Sequence, residues 1–224
     1  MFKFTSLKLL FAASLLGLLA ACAAPTQHQT DYTAFRKSQP RSILVLPPVN
    51  ETADVKATAG LLSQMTMPLA EAGYYVMPVA LVDETFRQNG LTTPTDIQAV
   101  APAKLREIFG ADTALYTTIT QYGSVYQVVD STTVVAASAK LMDLKTGEVL
   151  WEGTGRATDK ELGMNVNMGS GLIGALAQAA VKQVAHTLSD SGYDVAGLTS
   201  RRLLSAGQPN GLLYGPHSPK YGSD

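Results

Sequence analysis

Thr132-Thr133-Val134-Val135-Ala136-Ala137-Ser138-Ala139-Lys140-Leu141-Met142-Asp143-Leu144-Lys145-Thr146-Gly147-Glu148-Val149-Leu150-Trp151 is the stretch that decides the fold. In an extended chain, Val135, Ala137, Ala139 and Leu141 fall on one side, and Val134, Ala136, Ser138 and Lys140 on the other. A period of two in β-branched and small residues reads as a strand. Asp143 to Glu148 is a polar turn, with Gly147 free to take positive φ. Glu148 to Thr158 resumes the strand pattern. Trp151 lies inside it, where a buried ring is the default expectation. Thr113 to Tyr126 is a third β-rich run upstream. Three such runs in succession make an antiparallel meander.

The preceding half has a different rhythm. Ser42-Ile43-Leu44-Val45-Leu46, closed by Pro47-Pro48, is apolar throughout and reads as a strand buried on both faces. Asp54 is a candidate N-cap, and Val55, Leu61, Leu62, Met65 and Leu69 give helical spacing over 55–72. Pro68 should kink this helix late or end it early, and Gly73 stops it. Tyr74 to Met77 is a second short strand. Residues 80–88 form a helix ending at Asn89-Gly90. Thr95 caps a further helical stretch, and Pro102 opens another that runs to Phe109-Gly110. Strand, helix, strand, helix with short links indicates a βαβ unit. The expectation is an α/β protein with a single mixed sheet flanked by helices, its βαβ half followed by the meander. Residues 169–189 repeat apolar positions at three- and four-residue steps and predict a last helix closed by Gly192.

The N-terminus carries its own signal. Lys3 and Lys8 precede the apolar run Leu9–Leu19, and Ala20-Ala21 precede Cys22, the one cysteine of the chain. These are the zones of a secretory signal. The apolar run, about 11 residues, is short of the roughly 20 needed to cross a bilayer as a helix. Leu19-Ala20-Ala21-Cys22 resembles the lipobox of bacterial lipoproteins. That resemblance implies cleavage between Ala21 and Cys22 and acylation of Cys22 on its thiol and its amine. Ala23, in place of the Asp that favours the inner membrane in that group, implies the outer membrane, at its periplasmic face. The expected organisation is a signal over 1–21, a lipidated flexible tether over 22–40, an α/β domain over 41–198 and an irregular extension over 199–224. As a coil, a tether of about 18 residues would span roughly 25 Å.

Composition narrows the function. Losing Lys3 and Lys8 with the signal moves the formal net charge from −1 to about −3. With no basic patch, nucleic acid is not expected as a partner. Gly169-Ser170-Gly171-Leu172-Ile173-Gly174 fits G-x-G-x-x-G but does not follow the first strand of a βαβ unit, as a dinucleotide site requires. Lys145-Thr146-Gly147 matches K-T-G, but the accompanying S-x-x-K and S-D-N motifs are missing, so a turn explains it. His28, His186 and His217 are isolated and lack metal-ligand spacing. No catalytic residue, metal site or cofactor is expected. An envelope hydrolase with an unrecognised site and a small-ligand carrier are the rival readings. Leu212-Leu213-Tyr214, in an aperiodic tail, must pack on this body or on a partner. With Lys145 and Trp151 of the hairpin, they are the candidate partner contacts. Leu213→Asp is then expected to spare the fold and abolish capture of the partner.

The hairpin Ala139–Trp151 and the order of elements before it resemble the fold shared by the TolB N-terminal domain, LpoB and the periplasmic part of CsgG. With the anchor and the Leu212–Pro216 end, the chain resembles a family of Gram-negative outer-membrane lipoproteins of unknown function that includes a neisserial vaccine-candidate antigen. The resemblance implies a non-enzymatic accessory of an envelope assembly or secretion complex. Its partners would be a CsgG-like lipoprotein, the peptidoglycan machinery or a second copy of the chain. No amphipathic hairpin is long enough for a CsgG-type pore.

Overall fold

A computed structural model describes residues 30–126, 131–162 and 191–224. The signal, Cys22, His28, the predicted helix over 169–189 with its G-x-G-x-x-G, and His186 lie outside the described residues. Asp31–Asp224 is one compact unit. In chain order its elements are α1 (Thr33–Ser38), β1 (Ser42–Val45), β2 (Val49–Asn50), α2 (Ala57–Glu71), β3 (Tyr75–Val76), α3 (Val79–Gln88), α4 (Pro94–Gln98), α5 (Pro102–Phe109), β4 (Thr113–Tyr126), β5 (Ser131–Asp143), β6 (Val149–Thr158) and α6 (Ser191–Leu204).

The strands form one mixed sheet in the order β3-β1-β4-β5-β6, with β2 beside β4. β1 is parallel to β3 and β4, as the βαβ half requires. β4, β5 and β6 are antiparallel neighbours. β1 is buried on both faces, as its unbroken apolar run dictates. Ile43 and Val45 join one core, with Leu61, Met65 and Leu69 of α2 and Val195, Leu203 and Leu204 of α6. Leu44 and Leu46 join the other, with Val82, Phe86, Ile97 and Leu105 of α3 to α5. Val135, Ala137, Ala139 and Leu141 of β5 all face the α2/α6 side. Among the described residues no helix covers the other side of β5 and β6. There Lys140, Glu152, Thr154 and Arg156 are exposed.

Two elements differ from expectation at a proline and a glycine. Pro68 neither ends nor visibly shortens α2, which runs on to Glu71. Its missing N–H leaves the Gln64 carbonyl one turn back without a helical donor. The Ser200 hydroxyl of α6 donates to that carbonyl at 2.9 Å. Gly192 does not close a helix; it is buried inside α6. α6 lies so near β6 that a Cβ on Gly155 would fall 2.8 Å from Leu203 Cβ and 2.9 Å from the Thr199 carbonyl oxygen. Small residues on both surfaces permit that approach.

The expected domain limits also move. Residues 31–40 are part of the body rather than tether, because Phe35 of α1 is buried in the α2/α6 core. The boundary at 198/199 falls inside α6, and the extension beyond it packs on the body. The cap of α4 is Thr93, not Thr95. Its hydroxyl oxygen accepts from Asp96 N at 3.2 Å, and Pro94 takes the first helical position.

Candidate interaction surface

The five residues expected to contact a partner separate. Leu212 and Leu213 are 1% and 9% exposed and belong to the α2/α6 core. Trp151 is 3% exposed in the same core, its indole N–H donating to the Asn210 carbonyl at 2.9 Å. Tyr214 is half-buried, and Lys145 is exposed on its turn. Cys22 lies outside the described residues. Leu212, Leu213 and Trp151 are therefore internal and do not face a partner, while Lys145 and Tyr214 stay accessible. The physical reason is that the tail satisfies itself against this chain.

That attachment is specific. The Tyr74 hydroxyl donates to the Leu213 carbonyl at 2.7 Å. Gly215 N donates to the Ala72 carbonyl at 2.8 Å, and His217 N to the Gly73 carbonyl at 3.0 Å. Tyr214 N donates to the Asp224 carboxylate at 2.7 Å. Burial pushes the Tyr74 phenol well above its ordinary range, with the Asp224 charge adding to the effect. Tyr74 is thus a structural donor throughout the physiological range.

The K-T-G segment is a turn, as expected. Asp143 Oδ1 accepts from Lys145 N at 2.7 Å and Thr146 N at 2.9 Å. Its other oxygen accepts from the Ser38 hydroxyl at 2.6 Å, tying the turn to α1. Burial raises the Asp143 carboxyl, but the hydrogen bonds from Ser38, Thr146 and Lys145 outweigh it and hold the group below its usual 3.8. A folded value below the unfolded one stabilises the protein above about pH 3.8. That stability is lost as the pH falls through the folded value. Asp143→Asn should therefore cost about 1 kcal/mol at neutral pH and flatten the acid limb of a stability–pH curve below pH 4. An unchanged acid limb would remove Asp143 as its origin.

An open α/β sheet takes ligands in the crevice beyond the carboxyl ends of its parallel strands, where the connections diverge. Here that point lies between β1 and β4, where a side chain bridges the two strands, and a cavity of about 450 Å³ lined by Pro47, Thr58, Val79, Asp83 and Pro94 lies beside it. Pro47 and Pro48 have no N–H for the ladder. The Gln98 amide of α4 bridges the gap instead, donating to the Pro47 carbonyl at 2.9 Å and the Thr117 carbonyl at 3.0 Å. β2 then continues alongside β4 with Val49 opposite Thr118. Neither Gln98 nor β2 was marked as important from the sequence. Two adjacent prolines ending a strand were the available signal.

Among the described residues, what stays open is the far side of β5 and β6. Lys140 sits 5.2 Å from the Tyr116 ring centroid, capping the one large apolar group there. Thr118, Ser138, Glu152 and Thr154 complete a polar surface. A groove of about 790 Å³ runs from this surface past the edge of β6 to Arg202 and the 208–211 loop. The arrangement suits contact with a polar partner and holds no group of three or more His, Cys, Asp or Glu side chains among the described residues.

The model of the family described as "Putative lipoprotein GNA1162-like" matches residues 30–217. The chain is 50% identical over 198 residues to the "Putative lipoprotein NMB1124/NMB1162" of Neisseria meningitidis serogroup B, covering 88% of this chain and 90% of the relative. It is similar to the crystal structure of lipoprotein GNA1162 from Neisseria meningitidis, with a TM-score of 0.51 and 50% identity over 66% of this chain and 99% of that one. The LpoB C-terminal domain from Salmonella enterica matches with a TM-score of 0.39 and 22% identity, over 53% of this chain and 82% of that one.

Proposed function

Because the chain belongs to the GNA1162-like lipoprotein family, we propose that it is a lipid-anchored adaptor of the cell envelope. Cys22, freed by cleavage after Ala21, carries the acyl chains. Ala23 directs the protein to the outer membrane, and the body stands at its periplasmic face. Each buried methylene contributes about 0.8 kcal/mol, so one chain holds weakly and two or more hold firmly. From Asp31 the chain is folded, which leaves residues 22–30 for the tether; nine residues of coil would reach about 15–18 Å. The body works close to its membrane.

The body docks and does no chemistry. The observation that carries this reading is the polar surface of β5 and β6, where Lys140, Glu152, Thr154 and Arg156 are exposed beside the groove that reaches Arg202. The surface left for recognition is the open, polar side of β5 and β6. An envelope protein fits that surface, whether a CsgG-like lipoprotein or a component of the peptidoglycan machinery. Cys22→Ser tests the anchor. The variant should leave the membrane fraction for the soluble periplasm and lose fatty-acid label. A variant that sediments with the outer membrane as before would defeat the proposal at its first step.

A further inference from the structure

β6 is the last strand of the sheet, so one of its edges has no neighbouring strand among the described residues. The direction of its backbone groups follows from two contacts. The Arg156 carbonyl accepts from the Arg202 guanidinium at 3.0 Å, and Thr158 N donates to the Glu161 carboxylate at 2.9 Å. Both partners are side chains outside the ladder, so the even-numbered residues of β6 turn their N–H and C=O groups away from β5. By the same alternation, Glu152 and Thr154 present theirs at the edge. Such a row is a template for another strand.

The side chains of these residues say which strand. Glu152, Thr154 and Arg156 are all exposed on the open side, opposite the buried Trp151 and Ala157. Their charges are arranged about Thr154, with an acid two residues before it and a base two residues after it. If a second copy of β6 runs antiparallel about a two-fold axis at Thr154, each Glu152 lies opposite an Arg156. Each of those pairs contributes favourably across the strands. A slip of two residues in either direction sets Glu152 opposite a threonine and forms no charge pair, and a slip of four sets Glu152 against Glu152 in one direction and Arg156 against Arg156 in the other. A parallel arrangement in register repeats like charges along the edge. One register alone is complementary. Charges that merely guard an edge need no such symmetry.

We propose that β6 pairs antiparallel with β6 of a second copy of this chain, about a two-fold axis at Thr154, joining the two sheets into one. The groove beside Trp151–Thr154 leaves room for the incoming strand. Arg202 can keep its bond at the Arg156 carbonyl, because that oxygen has a second lone pair for the Glu152 amide of the other copy. The pairing names one partner for the open side of β5 and β6 and rests on the docking reading only there. It makes no use of the anchor.

The test uses the full chain purified in detergent, with its mass measured by sedimentation or light scattering after subtraction of the detergent. The unaltered chain should have the mass of a dimer. Glu152→Arg and Arg156→Glu should each give the monomer with an unchanged circular-dichroism spectrum. The two together restore opposite charges and should restore the dimer. In a Cys22→Ser background, Thr154→Cys should cross-link to itself on oxidation, and Thr120→Cys, exposed on β4, should not. A monomeric starting chain overturns the pairing while leaving anchoring and docking to another protein untouched. A dimer that ignores the charge exchange, or that cross-links equally through position 120, overturns it as well.

Discussion

Leu213→Asp should remove about 5 kcal/mol of stability, enough to unfold much of the population of an ordinary domain. The substitution deletes a side chain that is 9% exposed and puts a carboxylate at the edge of the α2/α6 core, beside Phe35 and Tyr74. It also disturbs the segment whose carbonyl receives the Tyr74 hydroxyl. A buried carboxylate without a partner either pays its desolvation or takes up a proton, and both oppose folding. Lys145→Asp is the matched comparison, since Lys145 is exposed on its turn. Denaturant unfolding of the two variants should differ by several kcal/mol. Equal stability would place Leu213 at the surface, as the sequence alone suggested, and would restore the tail as a docking element.

Gly73→Ala is the second large effect, at about 3 kcal/mol. Gly73 has a φ of 97°. A Cβ there would sit 2.7 Å from Ser218 Cβ and 2.8 Å from the Gly215 carbonyl oxygen. The α2–β3 turn and the C-terminal tail close on each other through that hydrogen atom. Gly90 separates the two contributions. Its φ is 78°, but nothing lies within 4 Å of the added atom. Gly90→Ala should therefore cost about 1 kcal/mol, the conformational part alone. If the two variants melt together, the tail does not press on Gly73 and the clamp is not real.

The parts of the fold that were legible are those set by local pattern. Ile43–Leu46 announced a strand buried on both faces. The alternation through Val135–Leu141 gave both the strand and the face that meets α2 and α6. The parts that were not legible depend on distant contacts. α6 hides its buried stripe because Thr199 and Ser200 lie in it. The Thr199 hydroxyl bonds the Val195 carbonyl and the Val135 carbonyl, and Ser200 bonds Gln64, so their polar atoms are consumed internally. Gly192 imitates a helix stop yet supplies close packing. Leu212 and Leu213 have no period to reveal their direction, and partners such as Tyr74 are set by tertiary structure. Phe35 stands alone among polar residues, so α1 read as tether. β2 is two residues long and has no pattern at all.

The candidate site follows the same division. Leu19–Cys22 stands out in the sequence because it matches a local motif. The proposed docking surface does not stand out, because polar strand residues look alike whether water or a partner faces them. Trp151 and the Leu212–Leu213 pair drew attention as large apolar groups, which are the residues the core claims first. Lys140, Glu152 and Arg156 are ordinary charges in a strand, and only the sheet order places them together at an open edge.

The docking claim is tested most directly by photo-cross-linking in living cells. A photoreactive amino acid is placed singly at Thr118 or Lys140, on the open side of the sheet, or at Glu107, exposed on α5. Positions 118 and 140 should yield adducts with an envelope protein, and position 107 should not. Adducts at 107 with none at 118 or 140 would contradict the account.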